Sequence, residues 1–288
     1  MTILHLFLWS LAGAFLAFSM VTYGIFTYFC LKQPPPPRLW AACHGRRLAC
    51  LAWGLVTSLG GQVLVCLSYP FGRLFERLTC RDRRGQGPVV LCLHGLYHNP
   101  TAFWGLRPAL LRVGLPRVLC LGYNSLGATF EERAGELARR VRALVPGETP
   151  LCFVGHSLGG LLARRLAAEP DLAGRTCALV TLGAPHGGSV LAALAVGRLG
   201  RSLAPHGPVA VAVAALPDPP GAALLSLASP VDNLVVPLGG LALGRRAWRE
   251  EATPPASHIA MLYHPAVLRR VAAFLGQAIA ARVAGAPS

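Results

Sequence analysis

Gly155-His156-Ser157-Leu158-Gly159 sets a serine between two glycines, each two residues away. Four mostly apolar residues precede it, Leu151 to Val154, and a helical pattern follows from Leu158 to Ala168. Strand, sharp turn and helix in that order present a serine hydroxyl at the top of a sheet, where it can attack a carbonyl carbon. The glycines have a steric reason, because a strained turn lets strand and helix approach closely only where side chains are missing. With 32 glycines in 288 residues such a pentapeptide also arises by chance, so Ser157 is a candidate nucleophile whose case rests on partners elsewhere.

The elements that must position those partners begin after an unusual amino-terminal third. Mean hydropathy is +0.50 and only 14% of residues are charged, too apolar for an ordinary soluble enzyme. The cause is local. Met1 to Leu31 holds no Lys, Arg, Asp or Glu, and Ile3 to Cys30 is long enough to cross a hydrocarbon core of about 30 Å. It lacks the basic start and small-residue cleavage site of a signal peptide, so it reads as a retained anchor. A second uncharged run, Leu48 to Gly72, is interrupted by Gly54, Gly60 and Gly61. It reads either as the second arm of a membrane hairpin or as a buried or interfacial helix. Residues 1–84 are thus expected to form a membrane region with candidate helices 3–30 and 48–72, and residues 85–288 a catalytic domain.

Net charge is +15, carried by 26 arginines and one lysine, Lys32. The arginines are scattered, with no basic stripe interleaved with aromatics, so nucleic acid is not an expected partner. Anionic lipid headgroups are the expected contact of the cluster Arg81-Asp82-Arg83-Arg84, and coding bias toward arginine stands as the bland alternative. The positive-inside count leans only weakly toward a cytoplasmic catalytic domain. Nine cysteines, without a C-x-x-C pair or disulfide-like spacing, read as buried free thiols.

From Pro88 the pattern alternates. Val89 to Leu93 reads as a strand buried on both faces, followed by His94-Gly95-Leu96, a loop, and a helix from Thr101 to Leu111. Arg117 to Leu121 is a strand, Phe130 to Val145 an amphipathic helix, and Cys177 to Leu182 the strand after the serine helix. Such alternation predicts an α/β fold, a mainly parallel sheet flanked by helices.

His94-Gly95, the Gly155 to Gly159 turn and Gly183-Ala184-Pro185-His186-Gly187-Gly188-Ser189, in this order, resemble the α/β-hydrolase superfamily, and within it bacterial lipases and esterases of the triacylglycerol lipase type. The resemblance covers roughly residues 88–275. It implies an α/β-hydrolase fold in which acid and histidine follow the serine in the chain. Of four aspartates, Asp82 comes too early, Asp171 and Asp218 sit in loops, and Asp232, after the apolar run Ala222 to Leu227, resembles the family's acid. His258, shortly before a closing helix from Ala266 to Ala280, resembles its histidine, with His264 as runner-up. The backbone N–H groups of Leu96 and Leu158 would form the oxyanion hole. Gly95, Tyr97, His156, Pro185 and His186 are expected around the substrate, together with His94, which would also brace the oxyanion loop, and His98. No metal or cofactor is expected.

The insertion between residues 190 and 220 is apolar and reads as a cap or lid over the acyl site, or as helix packed on the core. The expected activity is hydrolysis of lipophilic carboxylic esters at a membrane, a bacterial inner membrane on the resemblance. Acyl transfer or thioester cleavage would use the same acyl-enzyme, and a catalytically silent scaffold is the reading from another class. Oligomeric state, acyl-chain length and headgroup are not fixed by the sequence.

Overall fold

Strands β1 (Val89–Leu93), β2 (Val118–Leu121), β3 (Leu151–His156), β4 (Thr176–Leu182), β5 (Ala223–Ala228) and β6 (Trp248–Ala252) form one sheet in the order β2-β1-β3-β4-β5-β6, parallel throughout. This computed structural model describes residues 2–81 and 87–284, so the expected domain boundary and most of the arginine cluster (Asp82, Arg83, Arg84) lie outside the described residues. The helices are α1 (Ile3–Lys32), α2 (Pro37–Ala41), α3 (Arg47–Ser68), α4 (Gly72–Arg81), α5 (Leu106–Arg112), α6 (Phe130–Leu144), α7 (Leu158–Ala167), α8 (Pro170–Ala173), α9 (Arg198–Arg201), α10 (Pro208–Ala214) and α11 (Pro265–Ala284).

Side-chain alternation splits the core into two layers. Leu91, Leu93, Leu121 and Phe153 pack with Leu137 and Val141 of α6 and with Leu162 and Leu166 of α7. On the other face Val90, Cys92, Cys120 and Val154 pack with Leu106 of α5 and with Val271 and Leu275 of α11. Such strands read as continuous apolar runs because both faces are covered. Strand β6 escapes that pattern: it is Trp-Arg-Glu-Glu-Ala at the sheet edge, with only Trp248 buried, and its Glu251 pairs with Arg270 of α11 at 2.8 Å. The helix expected from Thr101 splits into a 3-10 turn, Pro100–Phe103, and α5.

Sequence order reverses at β1. Its following strand lies on one side and β3 on the other, which opens a crevice between the carboxyl ends of β1 and β3, where open parallel sheets bind ligands.

Helices α1 and α3 run antiparallel, since contacts climb one as they descend the other. Gln62 Nε2 donates to Phe15 O at 3.3 Å, Ser19 and Ser58 hydroxyls meet at 2.9 Å, and the Tyr23 hydroxyl occupies the space that a Cβ on Gly54 would take. Two of the glycines that interrupt the second apolar run are therefore contact points, Gly54 and also Gly61, where a Cβ would press on Ile259, 3.1 Å away, whereas a Cβ on Gly60 would meet nothing. Helix α4 continues from this hairpin along the opposite sheet edge. Thr79 Oγ1 accepts from the Cys120 N–H at 3.3 Å and Glu76 Oε1 from the Gly122 N–H at 2.8 Å, which satisfies donors that an edge strand leaves open.

Candidate active site

Ser157 stands between β3 and α7 at φ 55° and ψ −126°, a conformation that costs a non-glycine residue roughly 1–3 kcal/mol. Its backbone is held on both sides: the Ser157 N–H donates to Leu182 O at 2.8 Å, and Ser157 O accepts from Gly160 N–H at 2.9 Å. A Cβ on Gly155 would overlap the Gly159 carbonyl, and one on Gly159 would overlap the carbonyls of Leu93 and His94. The two glycines thus let β3, α7 and the end of β1 meet backbone to backbone.

Gly95 follows β1 and lies directly against this turn, since a Cβ there would stand 3.1 Å from Ser157 Cβ. The N–H of Leu158 opens α7 and so has no intrahelical acceptor. His94 lies beneath this loop. Its ring stacks on Tyr123 at 4.1 Å between centroids, Nδ1–H donates to Gly95 O at 2.8 Å, and Nε2 accepts from the Tyr123 N–H at 3.2 Å. Full burial pushes its pKa down to about 3, so the ring is a neutral brace.

Asp232 and His258 come from the loops after β5 and β6. Asp232 is fully buried; Oδ1 accepts from the N–H groups of Leu234 (3.0 Å) and Val235 (2.9 Å), and Oδ2 from Nδ1–H of His258 at 2.8 Å. That bond fixes the tautomer and leaves Nε2 of His258 as the acceptor. His264, the alternative histidine, caps α11 by accepting from the Ala266 N–H at 3.2 Å.

Ser157 and His258 line the same cavity, about 370 Å³. Gly95, Leu96, Tyr97, His98, His156 and Pro185 line it too. His156 donates from Nε2 to the His258 carbonyl at 3.0 Å, with its ring 4.6 Å from the His258 ring. Burial, and then the neighbouring His258, hold its pKa well below the usual histidine value. His94 and His186 are absent from this wall, because each is fully engaged behind it: His186 sits between Arg164 and Thr181, 3.3 Å from each, and beside Trp248.

Sequence reasoning missed the residues that hold the acid and histidine loops. The Asn233 side chain accepts from His258 N–H at 3.3 Å and donates to Thr22 Oγ1 on α1 at 2.8 Å. The Tyr23 hydroxyl donates to Val231 O at 2.9 Å, and Thr57 Oγ1 on α3 accepts from Ser257 N–H at 3.0 Å. Phe18, Thr22, Gln62 and Val65 of the same two helices line the cavity. The available signal was the set of hydroxyl and amide residues inside two apolar runs, where polar side chains mark functional contacts.

The insertion is half core and half surface. Leu199, Leu203 and Val213 are buried, whereas Leu194 and Val196 are about two-thirds exposed at 67% and 66%. Leu191, Ala192, Leu194 and Ala195 line the cavity as well.

Residues 90–286 match the model of the alpha/beta hydrolase family. A stretch of 89 residues is 38% identical to a pimeloyl-[acyl-carrier protein] methyl ester esterase of Aeromonas hydrophila, covering 30% of this chain and only 34% of that relative's length. Among solved structures, the lipase BlEst2 of Bacillus licheniformis superposes with a TM-score of 0.55 at 14% identity, over 68% of this chain and 94% of its own. Aspergillus fumigatus lipase B gives 0.51 at 13%, over 65% and 51%. At these identities the two structures speak for the fold alone. With the family match spanning more than half of its residues, the chain belongs to the alpha/beta hydrolase family.

Proposed function

We propose that this protein is a membrane-associated serine ester hydrolase acting on lipophilic acyl esters, with Ser157 as nucleophile, His258 as general base and Asp232 as its orienting partner. The observation that carries the reading is one cavity holding Ser157 in its strained turn and a His258 whose Nδ1 is bonded to a buried carboxylate. His258 Nε2 takes the hydroxyl proton as Oγ attacks the ester carbonyl, then returns it to the departing alcohol. The N–H groups of Leu96 and Leu158 receive the charge on the carbonyl oxygen, and a donor of this kind contributes on the order of a hundredfold or more in rate. Water then cleaves the acyl-enzyme with His258 as base again. The esterase name of the curated relative supports an ester rather than an amide substrate.

The membrane part rests on exposed apolar surface. Only 6% of the most apolar stretch of α1 is buried, and 22% of that in the run from Arg47 to Arg81. Trp9, Phe7 and Ile3 are 70%, 62% and 87% exposed, far beyond the patches that proteins in water sustain. At about 1.5 Å per residue α1 reaches about 45 Å, longer than a hydrocarbon core.

Labelling the membrane-reconstituted chain with a small fluorophosphonate tests the reading. An adduct mapped to Ser157, absent from Ser157→Ala and His258→Ala, is expected. A folded wild type that hydrolyses no ester and takes no label overturns it. Adding alcohol or thiol acceptors and analysing products separates hydrolysis from acyl transfer.

A further inference from the structure

The cavity in front of Ser157 is closed by two walls that the hydrolase sheet does not supply. One is the hairpin, through Phe18 and Thr22 of α1 and Gln62 and Val65 of α3; the other is the 3-10 turn Val190–Leu194, through Leu191 and Leu194. Phe18 is 43% exposed and Leu194 67%, so one wall on each side continues from the cavity to the outer surface as apolar side chain. From Phe18 that surface runs on along α1 over the exposed Phe7 and Leu4.

Most of the polar groups on the hairpin wall are turned into the hairpin itself. Gln62 Nε2 donates to Phe15 O, Ser19 Oγ and Ser58 O. Thr22 Oγ1 donates to backbone on its own helix and accepts from Asn233. What remains toward the cavity is chiefly hydrocarbon. A chain passing from bilayer to such a wall changes its surroundings little, whereas a polar group would lose its hydration without replacement.

We propose that α1 and α3 form the acyl-chain wall of the active site, and that the substrate is an ester of a long fatty acyl chain resident in the bilayer. It enters sideways between Phe18 and Leu194, and its tail lies along the hairpin while its carbonyl reaches Ser157. The hairpin is then a specificity element as well as an anchor. This inference rests on the serine hydrolase reading above.

The test uses the wild-type full chain in phosphatidylcholine vesicles and two fluorophosphonates, one with an ethyl group and one with a hexadecyl chain ending in a diazirine. In both, Ser157 Oγ forms the bond to phosphorus, fluoride leaves, and the hydroxyl proton passes to His258. Photolysis of the long adduct should crosslink to α1 between residues 15 and 22 or to α3 between residues 62 and 66. Crosslinks on other elements alone, with Ser157 labelled, overturn the acyl wall and leave the hydrolase reading standing. Absence of label from both probes removes the hydrolase reading itself. As a second measurement, Phe18→Trp and Val65→Trp should each lower the ratio of kcat/KM for p-nitrophenyl hexadecanoate over p-nitrophenyl butanoate by about tenfold. Val56→Trp, at an exposed position on α3 outside the cavity, should leave that ratio as it was. An unchanged ratio in both cavity variants overturns the proposal.

Discussion

Ser157 and the Asp232–His258 pair face one cavity but are held there by different kinds of force. The serine is placed by backbone packed on backbone, at glycines only two residues away on each side. The acid and histidine loops are placed by side-chain hydrogen bonds from Thr22, Tyr23 and Thr57, roughly 200 residues earlier in the chain. One half of the site is therefore encoded locally and tolerates almost no change of shape. The other half depends on the apolar hairpin being docked, which ties the packing of that hairpin to the geometry of the site.

The largest effect should come from Asp232→Asn, which keeps the shape but not the charge or the tautomer it selects. We expect kcat to fall about ten-thousandfold with labelling slowed in parallel, measured on a short soluble ester. A loss of less than tenfold would mean that His258 is oriented by something other than Asp232. Gly159→Ala attacks the local half. The added methyl meets the carbonyls of Leu93 and His94, neither of which can rotate away, so a melting temperature lower by about 10 °C or more is expected. Asn233→Ala attacks the long-range half: it strips the acceptor from the buried His258 N–H and the donor from Thr22 together. An unsatisfied buried group of that kind costs roughly 1–3 kcal/mol of folded-state stability, so the melting temperature should fall by about 2–10 °C, and kcat should fall as the His258 loop loses its tie to Asn233.

The two halves also differ in how far the sequence exposed them. The elbow, the apolar run Leu151 to Val154 before it, which the structure extends to His156, and the buried strands β1, β2 and β4 were legible because each is an apolar run ending in a glycine turn. Strand β6 was not, since an edge strand carrying Arg249, Glu250 and Glu251 lacks that signature. His186 was expected at the cavity because it follows Pro185 in the motif; one residue later along a tight loop, its ring turns to Arg164 instead. The pins from Thr22, Tyr23 and Thr57 showed only as polar residues inside apolar runs, because hydrophobic periodicity reports that a helix is apolar and says nothing of which loop it meets.

Acid offers a smaller and more distributed test. His94 and His98 have pKa values pushed down to about 3 and about 4 by burial, and His156 and His186 are also held well below the ordinary value. Between those values and the unfolded value of about 6.5, the unfolded chain binds protons that the folded chain excludes, so acidification favours unfolding. The melting temperature should fall by several degrees between pH 7 and pH 5, above the range in which carboxylates titrate. A flat profile there would mean that these rings are not buried as neutral groups.

The smallest change bears most directly on the difference between the halves. Thr22→Val is nearly isosteric, leaves the hairpin apolar and removes the acceptor for Asn233 together with the hydroxyl's bonds to its own helix. Losing one hydrogen bond of this kind contributes about 0.5–1.5 kcal/mol, so kcat should drop roughly twofold to tenfold, and Thr22→Ser should restore it. Because the pin acts on the acid loop rather than on the substrate, the drop should be equal for butanoyl and hexadecanoyl esters. A drop confined to the long ester would assign Thr22 to the acyl wall alone. No drop in either would mean that the hairpin leaves the acid loop untouched, and that the catalytic half of the site is as self-contained as the elbow.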